Sequence, residues 1–99
     1  MGQRLQLHQL LETFVPNVYF QPPTTTVMKY PCIVYRRDSM DKKFADDKTY
    51  TYTIRYAITV IDQNPDSEIP SKVAEMPLSS FNRFFTVDNL NHDVFNVYF

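Results

Sequence analysis

The side chains that could take part in chemistry are few and scattered along the chain. His92 and Asp93 are the only adjacent imidazole and carboxylate. Successive residues of a strand point to opposite faces of a sheet, so this pair would not align as an acid and a base within a strand. Ser79, Ser80 and Cys32 are candidate nucleophiles, but no glycine-based oxyanion turn accompanies them. We therefore predict that the protein is not an enzyme and that His92 and Asp93 serve as a cap or an interface.

Phosphate and metal sites are also disfavoured by the residue types present. The single glycine is Gly2, so the chain has no glycine-rich phosphate loop and no dinucleotide fingerprint. The one cysteine, Cys32, and the two histidines, His8 and His92, lack ligand-like spacing and would need carboxylates to complete a zinc site. A lone cysteine also leaves no intrachain disulfide. The sequence therefore predicts no cofactor and no metal.

Length and composition favour a single domain over residues 1–99. The chain has 99 residues, of which 43% are hydrophobic and 15% aromatic, and this is too apolar for a disordered tail. Ten basic and eleven acidic residues leave a net charge of -1, which argues against general electrostatic binding to nucleic acid or to an anionic membrane. No apolar run approaches the ~18 residues of a membrane span, so we predict no membrane partner.

The spacing of apolar residues predicts two helices, and the remaining segments predict five strands. The apolar stripe of the first helix is Leu7, Leu10, Leu11 and Phe14, and that of the second is Ile69, Val73 and Met76. Prolines end both helices, because the residue before a proline avoids the helical conformation. The predicted strands are 17–21, 32–37, 49–62, 81–86 and 93–99. The order α-β-β-β-α-β-β predicts an α+β fold in which two helices pack on one mainly antiparallel sheet.

The strand predicted over residues 49–62 (TYTYTIRYAITVID) is the most informative element. Its residues alternate between an apolar face, from Tyr50 to Val60, and a polar face that carries Arg55. At ~3.3 Å per residue the strand would span about 46 Å, whereas a compact domain of this size is only about 30–35 Å across. The strand must therefore bend strongly, or project and pair with another subunit. We expect Arg55 to lie near a subunit boundary.

Residues 38–48 (DSMDKKFADDK) are predicted to form a long, charged and solvated loop. Met40 and Phe44 are its large apolar side chains, and they either fold back on the domain or are held for a neighbouring subunit. If the loop becomes ordered at an interface, its charges can pair between subunits and its apolar side chains can anchor them. The predicted interface residues are Met40, Lys42, Lys43, Phe44, Asp46, Asp47, Arg55, Arg83, His92 and Asp93.

A second hypothesis is a sheet that binds single-stranded nucleic acid. Arg36, Arg37 and Arg55 would contact phosphates beside the tyrosines of the long strand. Against this hypothesis, the aromatic face of the strand is also the apolar face that the helices need to cover. The aspartates of the predicted loop would in addition repel a nucleic acid backbone. Binding through strand edges accounts for more of the pattern.

Three segments together resemble a known family over almost the whole chain. They are HQLLETFVPNVYFQPP, VIDQNPDSEIPSKVAEMP and FNRFFTVDNLNHDVFNVYF, in this order. They are similar to small neck proteins of long-tailed bacteriophages, the tail-completion or tail-to-head joining family that is related to tail terminators. The matching motifs are structural and mark no active site. Residues 38–48 have no clear counterpart in the family pattern.

The resemblance implies an α+β subunit that assembles with itself into a ring, commonly a hexamer, at the end of the tail tube. Its expected partners are the tail tube protein and the head-closure or connector protein, and genomic DNA would pass through the lumen without sequence-specific binding. The implied location is the head–tail neck of the virion, after assembly in the host cytoplasm. A different neck component, such as a head-closure protein, is the alternative within the same resemblance.

Overall fold

The computed structural model describes residues 2–23, 27–45, 49–64 and 66–99, and the side chains of residues 4–23, 27–39, 54–64 and 66–99. The elements are helix α1 (Gly2–Glu12), strands β1 (Val18–Phe20), β2 (Cys32–Ala45) and β3 (Thr49–Asp62), helix α2 (Ile69–Ala74), and strands β4 (Ser79–Val87) and β5 (Leu90–Tyr98). The predicted element order is confirmed.

The five strands form one sheet in the order β1-β2-β3-β5-β4. The short strand β1 runs parallel to β2, and the other three neighbouring pairs are antiparallel. The predicted α+β fold with a mainly antiparallel sheet is therefore confirmed. Strand β4 forms one edge of the sheet, although it precedes β5 in the chain.

The core lies between the two helices and one side of the sheet, which we call the helix-facing side. Leu7 and Leu11 of α1 and Val73 of α2 are fully buried there, as their predicted stripes require. The sheet contributes alternate residues, because only every second side chain of a strand reaches the helices. These sheet residues are Ile33, Tyr35, Tyr56, Ile58, Val60, Phe95 and Val97.

Tyr35 fixes α1 to the sheet through the polar tip of a fully buried ring. Its hydroxyl oxygen lies 2.7 Å from Nδ1 of His8 and accepts a hydrogen bond of 3.3 Å from Nη1 of Arg4. A hydroxyl that accepts from a guanidinium can donate its own proton to a neutral imidazole nitrogen. His8 and Arg4 are one helical turn apart in α1, so the two contacts set the rotation of the helix about its axis.

The prediction that residues 38–48 form a loop is wrong for residues 38–45, the part that the structure describes. Strand β2 continues through Asp38 to Ala45, and its residues pair with β3 from Ser39 opposite Arg55 to Ala45 opposite Thr49. A register shift between Arg37 and Ser39 marks a bulge at the point where the loop was expected to begin. The charged composition lowers β propensity locally, but the hydrogen-bond ladder offered by β3 outweighs that preference. Asp46 and Asp47 lie outside the described residues.

The long strand projects from the domain, which was one of its two predicted outcomes. Strand β3 pairs with β5 only from Arg55 to Asp62, whereas it pairs with β2 as far as Thr49. The molecule is accordingly elongated, with principal dimensions of 51 × 25 × 23 Å. We call residues 39–45 and 49–54 the arm. The expectation that the surplus strand pairs only with another subunit is wrong, because β2 of the same chain pairs with one of its edges.

Candidate interaction surfaces

Strand β4 is an edge strand that the rest of the molecule covers poorly. Every residue from Ser80 to Val87 is exposed. A six-residue helix is about 9 Å long, whereas nine strand residues span about 30 Å, so α2 cannot cover β4 along its length. The large apolar side chains left exposed at this edge are Leu78, Phe81, Phe84, Phe85 and Val87. We call these five side chains, together with the outer backbone edge of β4, the β4 edge.

Two phenylalanines of the β4 edge lie on the helix-facing side of the sheet. Phe81 is opposite Phe95 of β5, with the two ring centroids 5.5 Å apart in an edge-to-face arrangement. Phe84 lies next along the strand, its ring centroid 5.9 Å from that of Phe81, and it is 73% exposed. An aromatic row therefore leads from the buried core at Phe95 to the solvent at Phe84.

Two of the predicted interface residues meet on the other side of β4. The ring of His92 stacks on that of Phe85 with centroids 4.6 Å apart and planes 11° apart. The guanidinium of Arg83 lies 5.4 Å from the centroid of the Phe85 ring. The structure thus brings Arg83 and His92 together through Phe85, a residue that sequence reasoning placed in a strand without assigning it to a site.

Asp93 lies on the helix-facing side, away from His92. It is opposite Val60 of β3 and Phe84 of β4, whereas His92 is opposite Ile61 and Phe85. The two side chains therefore do not orient each other, as strand alternation predicts. Burial raises the pKa of the Asp93 carboxyl above its usual range, and the neighbouring His92 offsets part of that effect.

Arg55 lies at the base of the arm, and its closest charged neighbour belongs to the same chain. Its Nε donates a hydrogen bond of 2.7 Å to Oδ2 of Asp38, the residue at the bulge of β2. Nη1 of Arg36 lies 3.8 Å from Oδ1 of Asp38. This hydrogen bond raises the pKa of the Arg55 guanidinium. Sequence reasoning missed the pair because it assigned Asp38 to a loop.

The other predicted interface residues of β2 are placed by register alone. Met40 is opposite Ile54, Lys42 is opposite Tyr52, and Phe44 is opposite Tyr50; Lys43 takes the alternate position. Residues opposite each other in an antiparallel pair share a face of the sheet. Positions 40, 42 and 44 therefore continue the face on which Ile54 packs against the core.

A cleft of about 480 Å³ lies where the segment after β1 passes beside β2. Pro22, Pro23, Met28 and Val34 form its apolar walls, with Arg36 and Arg37 at the rim. The cleft forms because the residues that follow β1 stay close to β2. The backbone N–H of Arg37 in β2 donates a hydrogen bond of 3.2 Å to the side-chain amide oxygen of Gln21.

The nucleic-acid hypothesis gains no support from the described part of the long strand. Tyr56 is buried in the core, and Arg55 lies on the opposite side of β3. An aromatic platform flanked by arginines needs both on one accessible face. Tyr50 and Tyr52 belong to the part of β3 whose side chains are not described.

Charge is distributed unevenly across the sheet. The half formed by α1, β1, the base of β2 and their connections has four basic and two acidic residues, namely Arg4, Lys29, Arg36, Arg37, Glu12 and Asp38. The half formed by α2, β4, β5 and their connections has five acidic and two basic residues, namely Asp66, Glu68, Glu75, Asp88, Asp93, Lys72 and Arg83. The two halves of the molecule therefore carry opposite net charge, although β4 itself contains only one charged residue, Arg83.

No protein-family model matches the sequence, and no curated protein is significantly similar to it.

Across residues 2–23, 27–45, 49–64 and 66–99, neither helix has the length and apolar content that crossing a bilayer requires. In the same part of the chain, no three side chains of His, Cys, Asp or Glu are grouped to hold a metal ion.

Proposed function

We propose that the protein is a structural subunit that assembles into a closed ring through its strand edges. The observation that carries this proposal is that one sheet has an exposed apolar edge at β4, within the acidic half of the molecule, and a basic half on the β1 and β2 side. Two unlike, complementary surfaces on one subunit favour head-to-tail contacts, and such contacts form a ring when the rotation between subunits closes.

The arm supports the same proposal. It is a two-stranded ribbon that extends beyond the five-stranded part of the sheet. Two-stranded ribbons are only marginally stable in water without further strands or a covering layer. An arm of this length is therefore best explained as an element that a neighbouring subunit completes.

Within this proposal, the ring is the tail-completion ring of a bacteriophage neck, as the sequence resemblance implies. It would cap the tail tube, commonly as a hexamer, and present a docking face to the head-closure protein. Genomic DNA would pass through the lumen without sequence-specific binding. The net charge of -1 suits a conduit that must not hold DNA tightly. The protein would be part of the virion neck, after assembly in the host cytoplasm.

Shortening the arm tests the ring. Residues 42–52 are replaced by Asn-Gly, so that Asp41 and Thr53, which are opposite each other in the register, are joined by a type I′ turn. The variant should fold but fail to form rings in light scattering coupled to size exclusion and in electron microscopy. Replacing Asp88-Asn89 by Asn-Gly in the β4–β5 turn is the matched control and should leave rings intact. Rings of unchanged size from the shortened variant would show that the arm does not form the contact, and a wild-type chain that forms no rings would contradict the proposal.

Removing the protein from the particles tests the role in the neck. Particles assembled without it should appear in electron microscopy as filled heads beside separate tails of abnormal length. Separate tails of normal length would instead favour a head-closure protein. Complete, infectious particles would contradict both roles.

A further inference from the structure

We infer that the β4 edge is the surface that binds a second copy of this chain, by pairing with the open edge of β2 in the arm of that copy. This inference rests on the proposed ring and assigns the two strand edges that meet in it. The resulting contact would join the sheets of adjacent subunits into one continuous hydrogen-bonded band.

The β4 edge lacks most of the features that protect strand edges from pairing. Natural edge strands are short or carry charged side chains, Pro, bulges or covering elements, whereas β4 has nine residues, contains neither Lys nor Pro, and has Arg83 as its only charged residue. Its bulge at Asn82 lies near the start of the strand and leaves the stretch from Arg83 to Val87 regular. Exposed phenylalanines along such an edge are typical of a surface that becomes buried in an assembly.

Charge selects an unlike edge as the partner. Two β4 edges meeting about a two-fold axis would bring together the two acidic halves of the molecule, with Asp88 and Asp93 of each copy near the contact. Pairing with β2 of the arm, whose described charged residues are Asp41, Lys42 and Lys43, instead brings the acidic half of one copy beside the basic half from which the arm of the next copy extends. Like charges in apposition disfavour an interface, and complementary charges favour it.

On the β1 and β2 side of the sheet, only the part of β2 in the arm is a long enough open strand, among those described, to pair with β4. Strand β1 has three residues, too few to match β4, and the side chain of Gln21 already accepts the backbone N–H of Arg37. Beyond the bulge at Asp38, β2 runs from Ser39 to Ala45 with β3 on one side only among the described strands. This stretch is long enough to pair with the regular part of β4.

A positive charge placed at position 84 tests whether the β4 edge forms the contact between subunits. Phe84→Lys should leave the monomer folded, because the side chain is 73% exposed, and should raise the concentration for half-assembly at least about tenfold. Leu5→Lys, at a 54% exposed position of α1, is the matched control and should assemble like the wild type. If Phe84→Lys forms rings at the wild-type concentration, the β4 edge is not the contact, although the ring itself stands. A wild-type chain that never assembles would overturn the ring as well.

Cysteine cross-linking tests the choice of partner edge. Thr86→Cys or Arg83→Cys is combined in one chain with Asp41→Cys or Lys43→Cys, and the proteins are oxidised after assembly. A ladder of covalent dimers, trimers and larger species in any of the four double variants supports pairing between β4 and the arm. Covalent dimers from Thr86→Cys or Arg83→Cys alone would show that two β4 edges meet and would overturn the inference, as would the absence of a ladder in all four. Cys32 is fully buried and should not contribute to the ladder.

Discussion

Nε of Arg55 donates a hydrogen bond of 2.7 Å to Oδ2 of Asp38, and this bond joins β3 to β2 where a bulge shifts their register. The pair lies at the base of the arm, between the five-stranded part of the sheet and the two-stranded part. Bulged strands bend and twist locally, so a side-chain contact at the bulge helps to set the direction in which the arm leaves the domain.

Reversing the charge of Arg55 should weaken ring formation. In Arg55→Glu, two carboxylates face each other at the base of the arm, which should change its direction and loosen its pairing. A single exposed ion pair stabilises a protein little, so the effect on assembly depends on its repetition around the ring. Sedimentation velocity should show fewer rings, and the double variant Asp38→Arg with Arg55→Glu should recover them. Unchanged rings in Arg55→Glu would count against this role of the pair.

Removing the hydroxyl of Tyr35 should destabilise the attachment of α1. Tyr35→Phe loses the contacts with Arg4 and His8 and should lower the free energy of unfolding by about 1 kcal/mol in urea titrations. Tyr19→Phe is the control, since among the described residues that hydroxyl accepts a single hydrogen bond, from the backbone N–H of Lys29 at an exposed site. This variant should change stability by less than about 0.5 kcal/mol. Equal losses in both variants would contradict a special role for the Tyr35 contacts.

The same residue should make the protein sensitive to alkali. Burial raises the pKa of the Tyr35 hydroxyl, although the hydrogen bond from Arg4 offsets part of the rise. The unfolded chain therefore releases this proton at lower pH than the native protein does, and the free energy of unfolding falls as the pH rises above about 10. Tyr35→Phe should lack this part of the fall.

Cys32 should react slowly with thiol reagents in the native protein. Its side chain is fully buried, and burial, with a smaller contribution from Asp62, raises the pKa of its thiol to about 11. At pH 8 the rate with a chromogenic disulfide should be at least roughly 100-fold lower than in the urea-unfolded chain. Ser80→Cys adds an exposed thiol on β4 as an internal control that should react fast. Rapid reaction of both thiols in the native state would show that β2 opens readily at Cys32.

Asp93→Asn should stabilise the protein at neutral pH. The carboxyl has a raised pKa, so the native state favours its protonated form; its contribution to stability is full at low pH and is lost as the pH rises through the native pKa. Asparagine keeps the shape without the charge, so the urea midpoint should increase at pH 7 and match the wild type near pH 3. Asp88→Asn, in the exposed turn after β4, controls for the loss of one negative charge. A lower midpoint for Asp93→Asn at pH 7 would indicate that the carboxylate makes a favourable contact.

In the hairpin of β4 and β5, the local sequence determines the position of the turn, and strand pairing determines the length of the strands. The turn-forming residues of the segment 88–91 (DNLN) predict a turn, and the structure places a two-residue turn at Asp88 and Asn89 with φ values of 53° and 63°. Both residue types tolerate positive φ, and this turn geometry matches the twist of the flanking strands. The strands are longer than predicted because the tight turn lets pairing extend to Val87 and Leu90.

The sequence by itself determined the elements whose apolar spacing repeats over many residues. The strand Thr49–Asp62 has the predicted bounds, and the stripes of α1 and α2 face the core, because alternation and helical spacing are local properties of the chain. The excess of that strand over the width of the domain also followed from the sequence alone.

Only the tertiary structure decided which edges of the strands remain open. Residues 38–45 form a strand because β3 offers them a hydrogen-bond ladder, and β4 is exposed because β5 lies between it and β3. Strand pairing joins residues that are distant in the chain, so neither outcome is encoded in the composition of the segment itself. The contact between Arg55 and Asp38 depends on the same pairing and could not be derived from either residue.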